Sequence, residues 1–315
     1  MTYLMTELKR VMLWALPAFA LLAAATATAM AGHSRDIPPG PAGGNGLASP
    51  AYAGTGKPVN SAVADEPIPP PVDSGLGIET IIGLDKRVQV TDTTAFPARA
   101  TALITFGGGS CTGFMIGKDT VATAGHCVYE SGVWRTNVQV YPGRNGSSSP
   151  YGSCAARQNS QPGVGLSSNR RWISLGDERY DYGAIKLDCS VGNTTGWYGL
   201  WTQSDLVGVN TTINGYPGDK PAGTQWQSSD CSNNSFFFVQ CTVATETTRQ
   251  LFYSNDTFAG NSGSPVYFSG VRGCPCAIGI HAYGLHGSYP HDTYNHGART
   301  LTGVINFLLG VRDKP

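Results

Sequence analysis

The sequence predicts an all-β protein, a sandwich or barrel of short strands closed by one C-terminal helix. The first sign is a series of β-branched or aromatic runs separated by Gly, Asn, Ser and Pro turns: TALITF, DTVATA, NVQVYPG, YGAIKL, NTTINGYPG, FFFVQCTVAT, SPVYF and CAIGIH. The second is composition: 41 Gly and 20 Pro in 315 residues, only 13% charged residues and a formal net charge of zero. Such a loop-rich β composition lacks the basic stripe that nucleic acid requires and the charge excess that attracts a membrane surface. The third is a single helical pattern, TGVINFLLGV at 302–311, which places Val304, Ile305, Leu308 and Leu309 on one side.

In chain order, the first element is an export signal. Lys9 and Arg10 precede an apolar run over residues 11 to about 25, and Ala29-Met30-Ala31 supplies small residues before Gly32. The pattern predicts a signal peptide over 1–31, since the run is short of the ~20 residues a membrane span needs. Residues 32–79 follow, dense in Pro, Gly and Ala with little to bury, and are expected to form an unpacked pro-segment. The folded part is expected over 80–315. All eight cysteines lie beyond residue 110, an even number in an exported chain, which predicts disulfides in place of a metal cage.

Two stretches within that part carry chemistry. TVATAGHCVYES, at 120–131, ends a β-branched run on His126 behind Ala124 and Gly125. DTFAGNSGSPVYF, at 256–268, puts Ser262 in a glycine-rich turn, where the N–H groups of Gly260 and Ser262 can point at one spot beside the hydroxyl. A serine hydroxyl needs a base, His serves near neutral pH, and the imidazole needs a carboxylate to hold its tautomer. Asp181 in RYDYGAIKLDC, at the entry to an apolar strand, fits that role better than its neighbours Asp177 and Asp188.

These motifs, Thr123-Ala124-Gly125-His126-Cys127, Asp181-Tyr182-Gly183-Ala184-Ile185 and Gly260-Asn261-Ser262-Gly263-Ser264-Pro265, resemble the His, Asp and Ser motifs of chymotrypsin-like serine proteases in that family's chain order. The resemblance is nearest to secreted bacterial glutamyl endopeptidases and runs from about Thr80 to the C-terminus. It includes Thr91-Asp92-Thr93-Thr94, Cys111-Thr112-Gly113, Tyr141-Pro142-Gly143-Arg144-Asn145-Gly146 and Gly215-Tyr216-Pro217-Gly218-Asp219-Lys220. It implies two six-stranded antiparallel β-barrels of the chymotrypsin type, approximately 80–190 and 191–300, with the helix at 302–311. It also implies a secreted, monomeric endopeptidase acting on protein or peptide substrates, with His126, Asp181 and Ser262 as triad and no cofactor.

The resemblance further implies a Cys111–Cys127 disulfide beside His126. Cys154–Cys189 and Cys231–Cys241 are the next expected pairs and Cys274–Cys276 the last, with crossed pairing between the latter two sets left open. These additional cysteines depart from the glutamyl endopeptidase pattern.

By the same resemblance a substrate carboxylate is met by His281, Thr257 and the α-amino group of a mature chain beginning at Thr80, while Ala282, Tyr283 and Gly284 offer a strand edge to the peptide. Glu79 precedes Thr80, so a Glu-specific enzyme would cut its own precursor there. Asp256 stands six residues before Ser262, where trypsin-like enzymes carry the acid that attracts Lys or Arg; the preferred expectation is Glu specificity, with Asp256 turned away or hydrogen-bonded to backbone. Trypsin-like zymogens bury the new amino terminus against an Asp just before the nucleophile, where this chain has Asn261.

His281, His286, His291 and His296 recur every five residues. That interval suits neither a helix face nor a strand face, so no metal is expected and the last three are read as loop residues. Basic specificity through Asp256, a catalytically silent binding module and an esterase are the competing readings. The intact triad opposes the silent module, and the strand edge with its cleavable pro-segment opposes the esterase.

Overall fold

The computed structural model describes residues 46–59, 67–72, 79–158, 164–229, 243–247 and 249–315. The expected signal peptide and the Cys231–Cys241 pair lie outside these residues.

Two curled sheets make up the body. The first has seven antiparallel strands in spatial order Leu166–Ser168, Gly183–Lys186, Thr120–Thr123, Gly109–Gly117, Thr101–Phe106, Gln139–Pro142 and Cys154–Ala155. The second follows the order Val243–Glu246, Gln250–Tyr253, Asn295–Arg299, Cys276–Tyr283, Pro265–Phe268, Thr212–Gly215, Trp226–Ser229 and Val88–Gln89. Gly199–Thr202 joins it by a short parallel contact with Cys276–Tyr283. This is the two-barrel, mostly antiparallel architecture expected, with short edge strands extending each set.

β-branched and aromatic side chains suit the pleat and fill the interior between strands. Ile104, Phe114, Val121 and Ile185 of the first sheet and Tyr267, Ile280 and Tyr283 of the second belong to one buried cluster. Helix Thr302–Arg312 closes the chain and adds Val304, Ile305, Leu308 and Val311 to that cluster, whereas Leu309 packs at its margin. Among the described residues three disulfides join Cys111 to Cys127, Cys154 to Cys189 and Cys274 to Cys276.

The described parts of the Pro/Gly/Ala-rich segment, 46–59 and 67–72, make contacts that an unpacked chain would not. Gly46–Ser49 pairs with Gly199–Thr202, and Pro71 bridges to Ser110. Backbone hydrogen bonds to an existing sheet supply what the segment's small side chains cannot. Among the described residues no helix is long and apolar enough to cross a membrane.

Candidate active site

The first sheet brings two of the three triad candidates together through strand register. Gly183 pairs with Thr123, so the residues just beyond those positions, Asp181 before one strand and His126 after the other, emerge side by side. Gly125 permits the approach: a Cβ there would sit 2.7 Å from Asp181 Oδ1 and 2.8 Å from Trp172 Cδ1. Asp181 Oδ1 accepts from the His126 N–H at 2.8 Å, and Oδ2 lies 2.7 Å from His126 Nδ1. Oδ2 also accepts from the Tyr283 hydroxyl.

Burial works against a charged imidazole, but Asp181, helped by Glu130 and Glu79, outweighs it and raises the His126 pKa above its ordinary value. Burial and the same carboxylate drive the Tyr283 phenol well above its usual range, which keeps it a donor. The alternatives to Asp181 are occupied elsewhere or distant. Asp177 caps the short turn Glu178–Tyr180 and pairs with Arg179 at 2.8 Å, while Asp188 is exposed.

The second sheet supplies the nucleophile candidate on the loop before Pro265–Phe268. Thr112, on the first sheet's longest strand, ties this loop down: its N–H donates to Ser262 O at 2.9 Å and its hydroxyl donates to Gly260 O at 2.7 Å while accepting from Tyr216 N–H at 3.0 Å. Gly260 adopts φ +103°, and a Cβ there would lie 2.5 Å from Tyr216 O, so both conformation and space demand glycine. The Ser262 hydroxyl does not engage His126. It donates to Glu79 Oε1 at 2.5 Å, Asn261 N–H reaches Glu79 Oε2 at 3.2 Å, and His126 Nε2 is left buried without a hydrogen-bond partner.

The residues expected to read a substrate carboxylate gather around the same glutamate. His281 Nε2 lies 3.6 Å from Glu79 Oε1, and its Nδ1 lies 2.7 Å from the Tyr253 hydroxyl. Thr257 donates its N–H to Thr80 O at 3.2 Å, and its hydroxyl is buried without a partner. Asn295, unremarked in the sequence, holds Thr80 at both ends: its Oδ1 accepts from Thr80 N–H at 3.1 Å and its Nδ2 donates to Thr80 O at 2.6 Å.

The Asp256 carboxylate accepts from the N–H groups of Ile82 and Lys86, each at 2.8 Å. Burial raises its pKa, and those two donors oppose the rise. Tyr283 pairs with His296 of the strand Asn295–Arg299, Ala282 falls at a register shift beside it, and the ladder to Pro265–Phe268 ends at Ile280.

Sequence reasoning missed Thr112, the Tyr283 hydroxyl and Asn295, each of which acts across a distance no local pattern encodes. It also misplaced one histidine. His296 is not a loop residue but lies on Asn295–Arg299, where pleat alternation turns its ring inward to stack on Phe252. Burial, with His291 and His286 beside it, pushes its pKa down to about 2.

The chain is similar to several known proteins. Residues 88–301 match the trypsin family. A glutamyl endopeptidase of Bacillus licheniformis is 43% identical over 275 residues, covering 85% of this chain and 80% of the relative. A protein of Bacillus subtilis named as an extracellular metalloprotease is 37% identical over 267 residues, covering 81% and 77%. Among solved structures, a Glu endopeptidase in complex with MPD superposes with a TM-score of 0.63 at 32% identity, covering 74% of this chain and 100% of that one.

Proposed function

The chain belongs to the trypsin family and is a serine endopeptidase; from that premise we propose that it is a secreted enzyme that cuts after glutamate and is made as a precursor cut at Glu79–Thr80. Ser262 attacks the scissile carbonyl, His126 takes its proton and returns it to the leaving amine, and Asp181 holds the imidazole and stabilises its charged form. The N–H groups of Gly260 and Ser262 stabilise the oxyanion, and water releases the acyl-enzyme. The peptide lies along Ala282, Tyr283 and Gly284, and the enzyme acts on its protein or peptide substrates as a monomer.

One observation carries the specificity: the chain's own glutamate carboxylate lies among Ser262, Asn261 and His281. A buried carboxylate needs donors, and the pocket has them in the His281 imidazole and the unpartnered Thr257 hydroxyl. Asp256 is held by two backbone N–H groups, which supports a role in positioning residues 82–86 over one in attracting Lys or Arg. Once the precursor is cut, the Thr80 α-amine replaces the peptide N–H beside Asn295 and adds a positive charge to the same pocket. Export is supported by the N-terminal pattern and by the extracellular naming of the Bacillus subtilis relative.

The test is a mixed peptide library digested by the processed enzyme beside a Ser262→Ala control, with cut sites located by mass spectrometry and the mature N-terminus sequenced. Cuts after Glu and a chain starting at Thr80 are expected. Cuts after Lys or Arg would transfer the pocket to Asp256, and another mature start would remove the α-amine from it.

A further inference from the structure

A second cluster of titratable side chains lies beside the catalytic candidates, and the mechanism above uses none of it. Glu178 opens the short turn whose last N–H bond comes from Asp181, so it stands at the base of the loop that carries the catalytic acid. Facing it are His286 and His291, from the segment after the strand Cys276–Tyr283, and His296 from the neighbouring strand. The His286 N–H donates to His291 O at 2.8 Å, closing a loop that turns two residues five apart into neighbours with ring centroids 5.1 Å apart. The His296 ring lies 5.0 Å from His286 and 4.8 Å from His291. The five-residue interval that argues against a shared helix or strand face is thus brought together by a turn and a strand pairing.

Two of the imidazoles meet Glu178 by their Nε2 atoms. His291 Nε2 lies 2.9 Å from Glu178 Oε1 and His286 Nε2 lies 3.2 Å from Oε2. His296 Nε2 is buried without a partner, and neither His286 Nε2 nor His291 Nε2 makes an aligned hydrogen bond despite its closeness to Glu178. A buried polar atom without a partner is costly, and a shared occupant would satisfy His296 Nε2 and align the other two nitrogens at once. One ligand atom each from Glu178, His291 and His296 fall within 4.8 Å of one another. A zinc ion with bonds near 2.0–2.1 Å spaces its tetrahedral ligands by roughly 3.3 Å, a contraction that small side-chain rotations deliver. The outer shell is present as well: His296 Nδ1 faces Tyr294 O at 3.4 Å, which leaves Nε2 as the free lone pair, and Gln250 Nε2 donates to Glu178 Oε1 at 3.2 Å.

We propose that Glu178, His286, His291 and His296 form a tetrahedral site for a borderline divalent metal ion, zinc by preference, which ties the Asp181 loop to the wall formed by residues 286–296. Three imidazoles and one carboxylate suit zinc, cobalt or nickel, whereas calcium and magnesium favour all-oxygen shells. Cys274 and Cys276 take no part, being joined to each other. The ion sits behind Tyr283, whose ring lies 5.3 Å from His296 and whose hydroxyl serves Asp181. Its role is bracing, and no chemical step passes through it.

The experiment uses the untagged full chain carrying Ser262→Ala, which prevents self-digestion, titrated with zinc chloride by calorimetry and with cobalt chloride by visible absorption. The expected result is one ion per chain, the intense visible bands of tetrahedral cobalt, and a rise in Tm of about 5–11 °C at zinc a hundredfold above Kd. His286→Ala with His291→Ala, both partly exposed, should abolish all three. Anomalous diffraction at the zinc edge locates the ion in the unsubstituted site without relying on a variant. Absence of zinc binding, binding that survives the double substitution, or an ion located elsewhere would overturn the proposal, as would equal binding of calcium.

Discussion

The two halves of the active centre are completed to different degrees. On the side of the first sheet the Asp181 carboxylate is fully engaged: it accepts from the His126 main chain, faces His126 Nδ1 and accepts from Tyr283, and His126 Nε2 is the atom left without a partner. On the side of the second sheet His281 Nε2 and the Thr257 hydroxyl are buried and unpartnered, and the Ser262 hydroxyl is taken by Glu79. A buried polar group left without a partner is costly, so such groups mark where a further molecule is received. Fully bonded groups mark where geometry is held fixed. The contrast separates the orienting part of the site from its receiving part.

The largest expected effect tests the fixed half. Asp181→Asn should keep the fold and KM within a few-fold but lower kcat by about ten-thousandfold on a Glu peptide, because the wrong imidazole tautomer is stabilised. A loss below tenfold would break the distinction. Next comes the receiving half: His281→Ala should reduce the preference for Glu over Gln by roughly 10–150-fold in kcat/KM, the range for a hydrogen bond to a charged group. Unchanged preference would move carboxylate recognition away from the imidazole.

Asp256 sharpens the line between the halves. Asp256→Ala leaves the N–H groups of Ile82 and Lys86 without their acceptor, so it should cost about 1–3 kcal/mol, or roughly 2–12 °C in Tm, with Glu preference intact. A change in the residue preceding the cut would show that Asp256 belongs to the pocket. The smallest effect is in pH. As the proposed base His126 works only when neutral, and Asp181 raises its pKa, so kcat/KM should fall as pH drops through a value above the ordinary ~6.5 of imidazole. An acid limb at or below that value would mean that burial prevails over the carboxylate.

What the sequence made legible follows from what each feature needs locally. TALITF coincides with the strand Thr101–Phe106, and the helical spacing of Val304, Ile305 and Leu308 predicts a helix that the structure extends by one residue to Arg312. His126, Asp181 and Ser262 stand out because turns, glycines and adjoining apolar strands surround each of them in sequence. Thr112 and Asn295 do not stand out, since their effect depends on partners 104 to 215 residues away. The grouping of Glu178 with three histidines is illegible for the same reason: it is made by a loop closure and a strand pairing, neither of which has a period. The docking of Gly46–Ser49 escaped because backbone pairing needs no particular side chain.

One contact sets the tempo of activation, on the reading proposed above. Glu79 presents its side-chain carboxylate to Ser262, so on that reading a molecule in this arrangement obstructs its own nucleophile and would not cut its own junction. Conversion then requires a collision with a copy already converted. Such a population stays quiet while dilute, shows a lag that a trace of finished enzyme abolishes, and then turns over collectively, with a half-time that shortens as the chains crowd.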